Sequence, residues 1–326
     1  MAGAQERILR RRIRSIQSTK KITRAMELIA ASRIVRAQQR VAAARPYSEQ
    51  ITEVIRKLAA AGAGAGSPLL QERPELRRVL VIAVAADRGL AGAYNATVIR
   101  AAERAVADHR AAGREVHLAC SGKKAFNYFR FRHYDIDASW TGHADNPSYE
   151  IAREIAAFAR RGFEDGTYDR VDLAYTQFLS LGTQRAVVRQ FIPLDRSMIE
   201  QAAAAGPRAD YEYEPGPQQI LDRLLPRYAE ARLYAALLES AASEHASRQR
   251  AMKSATDNAE ELIVKLTRVM NRARQDAITT EIMEIVGGAE ALAQQAHDDE
   301  DLLADLFVVR DILPDHRSHR IVQEPT

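Results

Sequence analysis

Two long stretches of this chain contain neither glycine nor proline, and they limit what the chain can fold into more than any other feature. The longer stretch, Arg227–Val286, is rich in helix-forming residues and would span roughly 90 Å as a single helix. A compact globule of this chain length measures only about 50 Å across, so it cannot enclose such a helix. Near the N-terminus, Ala4–Arg45 would form a second helix of roughly 60 Å. The sequence therefore predicts two long terminal helices, a shaft, joined to a mixed central region, a head.

The central region changes from the helical period to alternating strands and helices. An almost purely apolar run, Arg78–Asp87, is typical of a strand buried on both faces. Strand–helix–strand alternation of this kind predicts an α/β sheet domain. The other predicted elements are helix Asn95–Ala112, strand Glu115–Ser121, helix Ser148–Glu164, and strands beginning at Val171 and Ala186.

The C-terminal stretch carries a heptad pattern, in which apolar or small residues recur at alternating steps of three and four. This spacing predicts a seam where one helix packs on another. Pro46 and Pro226 predict a kink or boundary in each long helix, and Gly287-Gly288 predicts a break or a helix end. The heptad positions are Met252, Ala255, Ala259, Leu262, Leu266, Val269 and Ala273.

The net charge of +4 is small, but it is unevenly distributed. The first helix is strongly basic, with Arg10, Arg11 and Arg12 in succession, whereas the C-terminal tail is acidic. A basic helix suits nucleic acid, anionic lipid or an acidic protein surface. No aromatic residue precedes Tyr47, which argues against nucleic acid. The sequence has no apolar run of about 18 residues, so it predicts no membrane-spanning helix.

Residues that carry chemistry do not cluster in this sequence. The loop Asp87–Asn95 follows the first strand, where a nucleotide loop would lie, but it contains only Gly89 and Gly92 and no lysine follows. We therefore interpret it as a tight strand-to-helix turn. The single cysteine, Cys120, excludes an internal disulfide, and the scattered histidines predict no metal site. We expect no cofactor and no catalytic centre.

Specific polar motifs lie in both long helices and in the first loop of the central region. Together they resemble the γ subunits of F-type ATP synthases, over about residues 3 to 292, closely at both ends and loosely in the centre. The motifs are Arg14–Met26, Ala30–Ser32, Asp87–Leu90, Ser243–Ala246, Ala251–Asn258, Asn271–Gln275 and Glu284–Ala289.

The resemblance implies both a fold and a function. The terminal helices would form an antiparallel coiled coil, and the central region a Rossmann-like α/β domain that binds no nucleotide. Such a subunit is the non-catalytic rotor shaft inside the α3β3 ring, present in one copy, and it passes torque between the membrane rotor ring (the c-ring) and the catalytic sites on β. The implied partners are the α, β and ε subunits and the c-ring. The implied location is the cytoplasmic side of the bacterial plasma membrane, as a peripheral protein.

The resemblance also implies partner contacts at six positions. Met26 matches the position where the shaft faces the lever of a β subunit. The basic first helix would face acidic segments of β. The positions that match hydrogen bonds to loops of the ring are Arg248, Gln275 and Thr279, and those that match the foot on the rotor ring are Tyr211 and Glu214.

The resemblance divides the chain into a shaft helix (1–61), an α/β head (62–216), a second shaft helix (217–296) and an acidic extension (297–326). Two features depart from the family. The family ends near Leu292, whereas residues 293–326 follow here, and we hypothesise that the extension contacts the crown of the ring or the peripheral stalk and slows rotation. Cys120 is alone, so the cysteine pair of the chloroplast form is missing.

Two rival interpretations remain open at the level of the sequence. A nucleotide-binding enzyme with helical arms would need a complete glycine loop, which the sequence lacks. A homodimeric coiled-coil scaffold would pair two copies of the chain, whereas the shaft pairs the two ends of one chain.

Overall fold

Apolar runs in the middle of the chain form the strands of one sheet, and the glycine-free stretches form two very long helices. The computed structural model describes residues 2–61, 63, 66–194 and 213–308. For residues 2–4, 60 and 295–308 it describes the backbone only. The elements, in chain order, are α1 (Ala2–Ala60), a 3-10 helix (Pro68–Leu70), β1 (Arg78–Val84), α2 (Tyr94–Ala111), β2 (Glu115–Ser121), α3 (Lys123–Phe131), β3 (Ala138–Trp140), α4 (Tyr149–Glu164), β4 (Arg170–Phe178), β5 (Gln184–Ile192) and α5 (Pro217–Val308).

The five strands form one sheet in the order β3-β2-β1-β4-β5. The first four of these strands are parallel, and β5 joins the edge antiparallel to β4. At the centre, Val81 lies between Leu118 of β2 and Asp172 of β4. The four strands and the two helices predicted in this region are confirmed within a few residues, whereas α3 and the three-residue β3 were not predicted.

Apolar side chains cover both faces of the sheet. On one face, Leu80 and Ile82 of β1 pack with α4, with the end of α1 and with the first part of α5. On the other face, Val79 and Val81 pack with α2 and α3. Alternate residues of β1 therefore face two separate cores, which explains why the strand is apolar throughout.

Helix α1 runs through Pro46 and buries one continuous stripe of residues. The buried and half-buried positions alternate at steps of three and four from Glu6 to Leu58, which is the spacing of a helix packed along its whole length. Its fully buried members include Ile13, Ile34 and Ile55. The fold class predicted from the sequence, a central α/β domain with long paired terminal helices, is confirmed.

Helix α5 runs without interruption through Pro226 and through Gly287-Gly288, so the predicted break at the two glycines is wrong. Its heptad prediction is partly wrong as well. Met252, Ala259 and Leu266 lie on the packed side, but Leu262 and Val269 are 48% and 45% exposed, and the adjacent Ile263 and Met270 are half-buried instead. Two apolar neighbours compete for one position at both places, and spacing alone does not choose between them.

The chain groups into two compact units. The described part of the first consists of residues 19–61, 63, 66–194 and 213–259, and it holds the sheet with the adjoining lengths of α1 and α5. The described part of the second consists of residues 2–18 and 260–308, where Ile13 is buried and Ile263, Leu266 and Met270 are half-buried.

Candidate functional site

The loops at the carboxyl edge of the sheet are tied together by the side chain of Asp87. Its Oδ1 accepts a hydrogen bond from Lys123 N (3.0 Å), and its Oδ2 accepts from Gly142 N (2.9 Å) and Ala144 N (3.0 Å). Burial by itself would raise the pKa of this carboxyl, but the three backbone donors and His143 outweigh burial and hold the pKa below its usual value. One carboxylate thus joins the loops that follow β1, β2 and β3.

The rest of the Asp87–Asn95 loop is also closed on itself. Asn95 Oδ1 accepts from Ala86 N (2.9 Å), and Asn95 Nδ2 donates to the carbonyl oxygen of Arg88 (3.4 Å). In parallel α/β sheets, ligands bind in the crevice outside this edge. Here the Asn95 side chain bonds within its own loop, which supports the interpretation of this segment as a turn.

Helix α5 crosses this carboxyl edge with two buried ionisable side chains one turn apart. Arg248 donates to Glu244 Oε1 (2.5 Å) and to the carbonyl oxygen of Gly89 (3.3 Å), with 7% of Arg248 and 1% of Glu244 exposed. His245 Nε2 lies 3.1 Å from the carbonyl oxygen of Asp145, in the loop before α4. Burial of a charged pair is costly unless each group is well bonded, so these contacts bind α5 firmly to the sheet loops.

Helix α1 reaches the same place from the other side. Arg33 donates to Asp145 Oδ2 (2.8 Å), and Arg88 lies 3.7 Å from the same oxygen. Charged groups from α1, from α5 and from two sheet loops therefore meet at one point. We call this cluster the junction; its members are Arg33, Arg88, the Gly89 carbonyl, Asp145, Glu244, His245 and Arg248.

A second contact fixes α1 against α5 beyond the junction. The Oγ1 atoms of Thr23 and Thr256 lie 2.8 Å apart in a buried setting. Both residues are less than 10% exposed. This buried polar pair defines how the two helices are aligned.

The six predicted contact residues lie in different places. Met26 is half-buried and Arg248 is buried within the junction, whereas Gln275, Thr279 and Glu214 are exposed. Thr279 Oγ1 donates back to the carbonyl oxygen of Gln275 at 3.0 Å, which places both on one side of α5. Tyr211 lies outside the described residues. The sequence prediction missed Arg33, Asp145 and Glu244 as members of the site.

Apolar side chains remain uncovered along the later part of α5. Ile282, Met283 and Ile285 are 54%, 68% and 66% exposed, and Val286 and Leu292 are similarly open. Solvent-exposed helices normally show charged residues at such positions, and a run of large exposed apolar groups marks an interaction surface. We call these five residues the apolar face of α5.

The described residues offer little for catalysis or metal binding. Within them, no group of three or more His, Cys, Asp or Glu side chains is placed to hold a metal ion. Cys120 is fully buried, and burial raises the pKa of its thiol to about 12. None of the helices in the described part of the chain contains an apolar stretch sufficient to cross a membrane.

Comparisons with known proteins give the class to which this chain belongs. A family model for ATP synthase matches residues 5–292. The ATP synthase gamma chain of Parafrankia sp. is 52% identical over 300 residues, which cover 91% of this chain and all of that relative. That of Mycolicibacterium smegmatis is 49% identical and covers 89% of this chain and 99% of its own length. The chain therefore belongs to the ATP synthase gamma chain family.

Solved structures share the fold at lower identity. A chain of the mitochondrial ATP synthase of Euglena gracilis, from a structure described as OSCP/F1/c-ring, matches with a TM-score of 0.62 at 15% identity. The match covers 89% of this chain and 95% of that one. A chain of the central stalk and c-ring structure from Tetrahymena thermophila matches with a TM-score of 0.53 at 22% identity and covers 72% of this chain and 99% of that one.

Proposed function

We propose that this chain is the central rotor shaft of an F-type ATP synthase. It transmits torque between a membrane rotor ring and the catalytic sites on an α3β3 ring, and it carries no catalytic residue itself. The observation that carries the proposal is the junction, where charged groups of α1 and α5 are bound directly to the loops of the α/β domain. Torque passes from a head to a shaft only if the two cannot slip against each other.

The arrangement of polar and apolar surfaces supports this function. Arg248 donates a hydrogen bond to Glu244 and both side chains are almost fully buried, so replacing either one would leave the other buried without its partner. The apolar face of α5 requires a covering partner, and an apolar bearing inside the α3β3 ring would provide one. The same helix thus has a fixed end and an end suited to turn against a partner.

The partners follow from family membership and from the assemblies in which the fold occurs. Structures that share the fold are described as containing F1, the c-ring and the central stalk. We assign this chain the α and β subunits, ε and the c-ring as partners, in one copy per complex, with the complex on the cytoplasmic side of the bacterial plasma membrane. The acidic extension at 297–326 remains a proposed brake, tested by its deletion: unchanged assembly and hydrolysis would remove that idea.

The proposed contact residues divide by their exposure. Gln275 and Thr279 are open to hydrogen-bond with loops of the ring, and Met26 faces the β lever with the part of its side chain that remains exposed. Glu214 is exposed for the foot, with Tyr211 proposed beside it. Arg248 is engaged within the chain, so any contact with the ring would use only the small remaining part of its surface.

Co-purification with α and β of the same organism tests the proposal. We expect a particle of three α, three β and one copy of this chain by native mass, with ATP hydrolysis that requires the chain. A self-associating chain that leaves α and β unbound would instead support the homodimeric scaffold. Binding of ATP or NAD to the isolated chain would favour the enzyme alternative, and we expect neither to bind because the loop after β1 lacks a complete glycine motif.

A further inference from the structure

Two carboxyl groups meet inside the junction. Glu244 is on α5 and is 1% exposed, and Asp145 is in the loop before α4, with its Oδ1 atom fully buried. Each carboxyl shifts the pKa of the other through a side-chain hydrogen bond, downward for Asp145 and upward for Glu244. Two ionised carboxylates in contact repel each other, and they have no hydrogen to share.

Each carboxyl has one oxygen with a donor and one without. Arg248 donates to Glu244 Oε1 at 2.5 Å, and Arg33 donates to Asp145 Oδ2 at 2.8 Å. The other two oxygens, Glu244 Oε2 and Asp145 Oδ1, are buried and have no hydrogen-bond partner if both groups are ionised. A buried acceptor without a donor costs free energy, and native structures rarely leave two of them side by side.

We propose that Asp145 and Glu244 bind one proton between them, as a carboxylic acid paired with a carboxylate, and that this proton joins the sheet loop to α5. A single hydrogen on one of the unpartnered oxygens lets it donate to the other. The three guanidinium groups around the pair already bond or face the other oxygens, so they do not replace this hydrogen. The ligand of the site is a proton. Its release leaves two negatively charged carboxylates that repel each other across the junction.

The electrostatics of the two groups assign the proton to Glu244. Burial is the main cause that raises its pKa, and with the smaller effect of Asp145 it brings the pKa to about 7 against the opposing effect of Arg248. Burial would also raise the pKa of Asp145, but the hydrogen bond from Glu244, together with Arg248, His245 and Arg33, holds it below its usual value. Glu244 is thus the acid and Asp145 the carboxylate.

The other charged or titratable groups around the pair do not supply the missing hydrogen. Tyr94 of α2 faces Glu244, and burial together with the charge of Glu244 raises the pKa of its phenol, but Glu244 Oε2 receives no hydrogen bond from it. Arg33 from α1 and Arg88 from the loop after β1 face Asp145 Oδ2. Burial lowers the pKa of His245, which keeps the ring neutral at pH 7, and its Nε2 faces the Asp145 carbonyl. A cavity of about 10 Å³ adjoins Glu244, Ser240 and His143, with room for one water, but Asp145 does not line it.

The proton makes the junction depend on pH near neutrality. A carboxyl whose pKa is raised in the folded state stabilises that state fully below its ordinary pKa of 4.5, and this contribution is lost as the pH rises through about 7. We therefore expect the junction to be tight in mild acid and looser in mild alkali. A central shaft with such a junction would couple torque less rigidly at alkaline pH.

Infrared difference spectroscopy on the full-length chain tests the proposal directly. The C=O stretch of a protonated carboxyl should be present at pH 6 and disappear with a midpoint near pH 7, and this transition between pH 6 and pH 8 should be absent in Glu244→Gln. Glu239→Gln is the matched control. Glu239 is another carboxyl of α5; it is half-buried, and burial raises its pKa as well. The band should survive in that control.

Asp145→Asn distinguishes a shared proton from simple burial. An amide can donate to an ionised Glu244, so this variant should move the midpoint of the Glu244 band down by at least one pH unit. An unchanged midpoint would mean that burial alone holds the proton, and absence of the band at pH 6 in the unmodified chain would mean that no proton is held. Either result overturns the proposal without affecting the rotor assignment, which rests on assembly with α and β.

Discussion

The hydroxyl oxygens of Thr23 and Thr256 lie 2.8 Å apart although 233 residues separate them in the sequence. Thr256 Oγ1 is also within hydrogen-bonding distance of the Met252 carbonyl (2.8 Å), and Thr23 Oγ1 of the Lys20 carbonyl (3.0 Å). Each hydroxyl has one hydrogen for two acceptors, so one of the two donates across the seam and the other to its own helix. The two helices are thereby held in one alignment by a hydrogen bond that runs between them.

A double-mutant cycle on this pair should show strong coupling. Thr23→Val or Thr256→Val alone leaves a buried hydroxyl without its partner across the seam and should lower the free energy of unfolding by about 1–2 kcal/mol. The double variant places two isosteric apolar groups in contact and should cost less than the sum of the singles. Chemical denaturation of the full-length chain measures all four corners. Additive losses would show that the two hydroxyls act independently.

Loss of the Arg248 guanidinium should be among the most damaging single changes at the junction. Arg248→Ala removes the only cation bonded to Glu244 within the described residues and empties a buried site. We expect a loss of about 3–5 kcal/mol in unfolding free energy. Arg160→Ala provides the control, because Arg160 forms an i,i+4 pair with Glu164 near the surface, worth about 0.5 kcal/mol.

The pH dependence of the Arg248 variant is a further check. If Glu244 loses its cation, its proton should be held more tightly, so the loss of stability should be smaller at pH 6 than at pH 8. Equal losses at both values would contradict the placement of Arg248 as the cation of that carboxyl.

Sequence patterns predicted the parts of the fold that depend on periodicity. The fully apolar Arg78–Asp87 run and the glycine-free stretches both lead directly to elements of the structure. The side chain of Ser148 accepts a hydrogen bond from Ile151 N, as a helix cap should. These signals are local, because each pattern involves only residues that follow one another in the sequence.

The junction could not be predicted in the same way. Arg33 and Asp145 are 112 residues apart, and their pairing depends on how the sheet brings its loops to α1. Glu244 and Arg248 are correctly spaced for a helical pair, but the sequence does not reveal that both are buried. The errors at Leu262 and Val269 have the same origin, since packing decides which of two neighbouring apolar residues faces the partner helix.

Gly122 should tolerate no side chain. It has a φ of +102°, and a Cβ there would lie 2.0 Å from the carbonyl oxygen of Ala85. Gly122→Ala must therefore move the ends of β1 and β2 apart, and we expect a marked drop in melting temperature or no folded protein. Gly142→Ala is the matched control, because Gly142 also has a positive φ (+90°) but has no atom within 4 Å of the added Cβ.

The comparison between the two glycines separates backbone strain from steric clash. The Gly142 variant should lose only about 1–2 kcal/mol, the cost of a non-glycine residue in the left-handed region. Similar losses in both variants, measured by thermal unfolding, would show that the close approach of Gly122 to β1 adds nothing.

The apolar face of α5 should matter for assembly and not for the stability of the chain itself. Ile282→Asp and Ile285→Asp replace side chains that are 54% and 66% exposed, so each should change the unfolding free energy of the isolated chain by less than about 0.5 kcal/mol. An acidic group at a position that an apolar bearing covers would have to lose its water or stay outside the ring. We therefore expect a lower yield of the particle with α and β, or slower ATP hydrolysis by it.

Glu281→Gln, beside the first site on α5, is the control for effects of charge alone. Normal assembly and hydrolysis with both aspartate variants would show that this face stays in water, and the bearing would have to be sought elsewhere on α5.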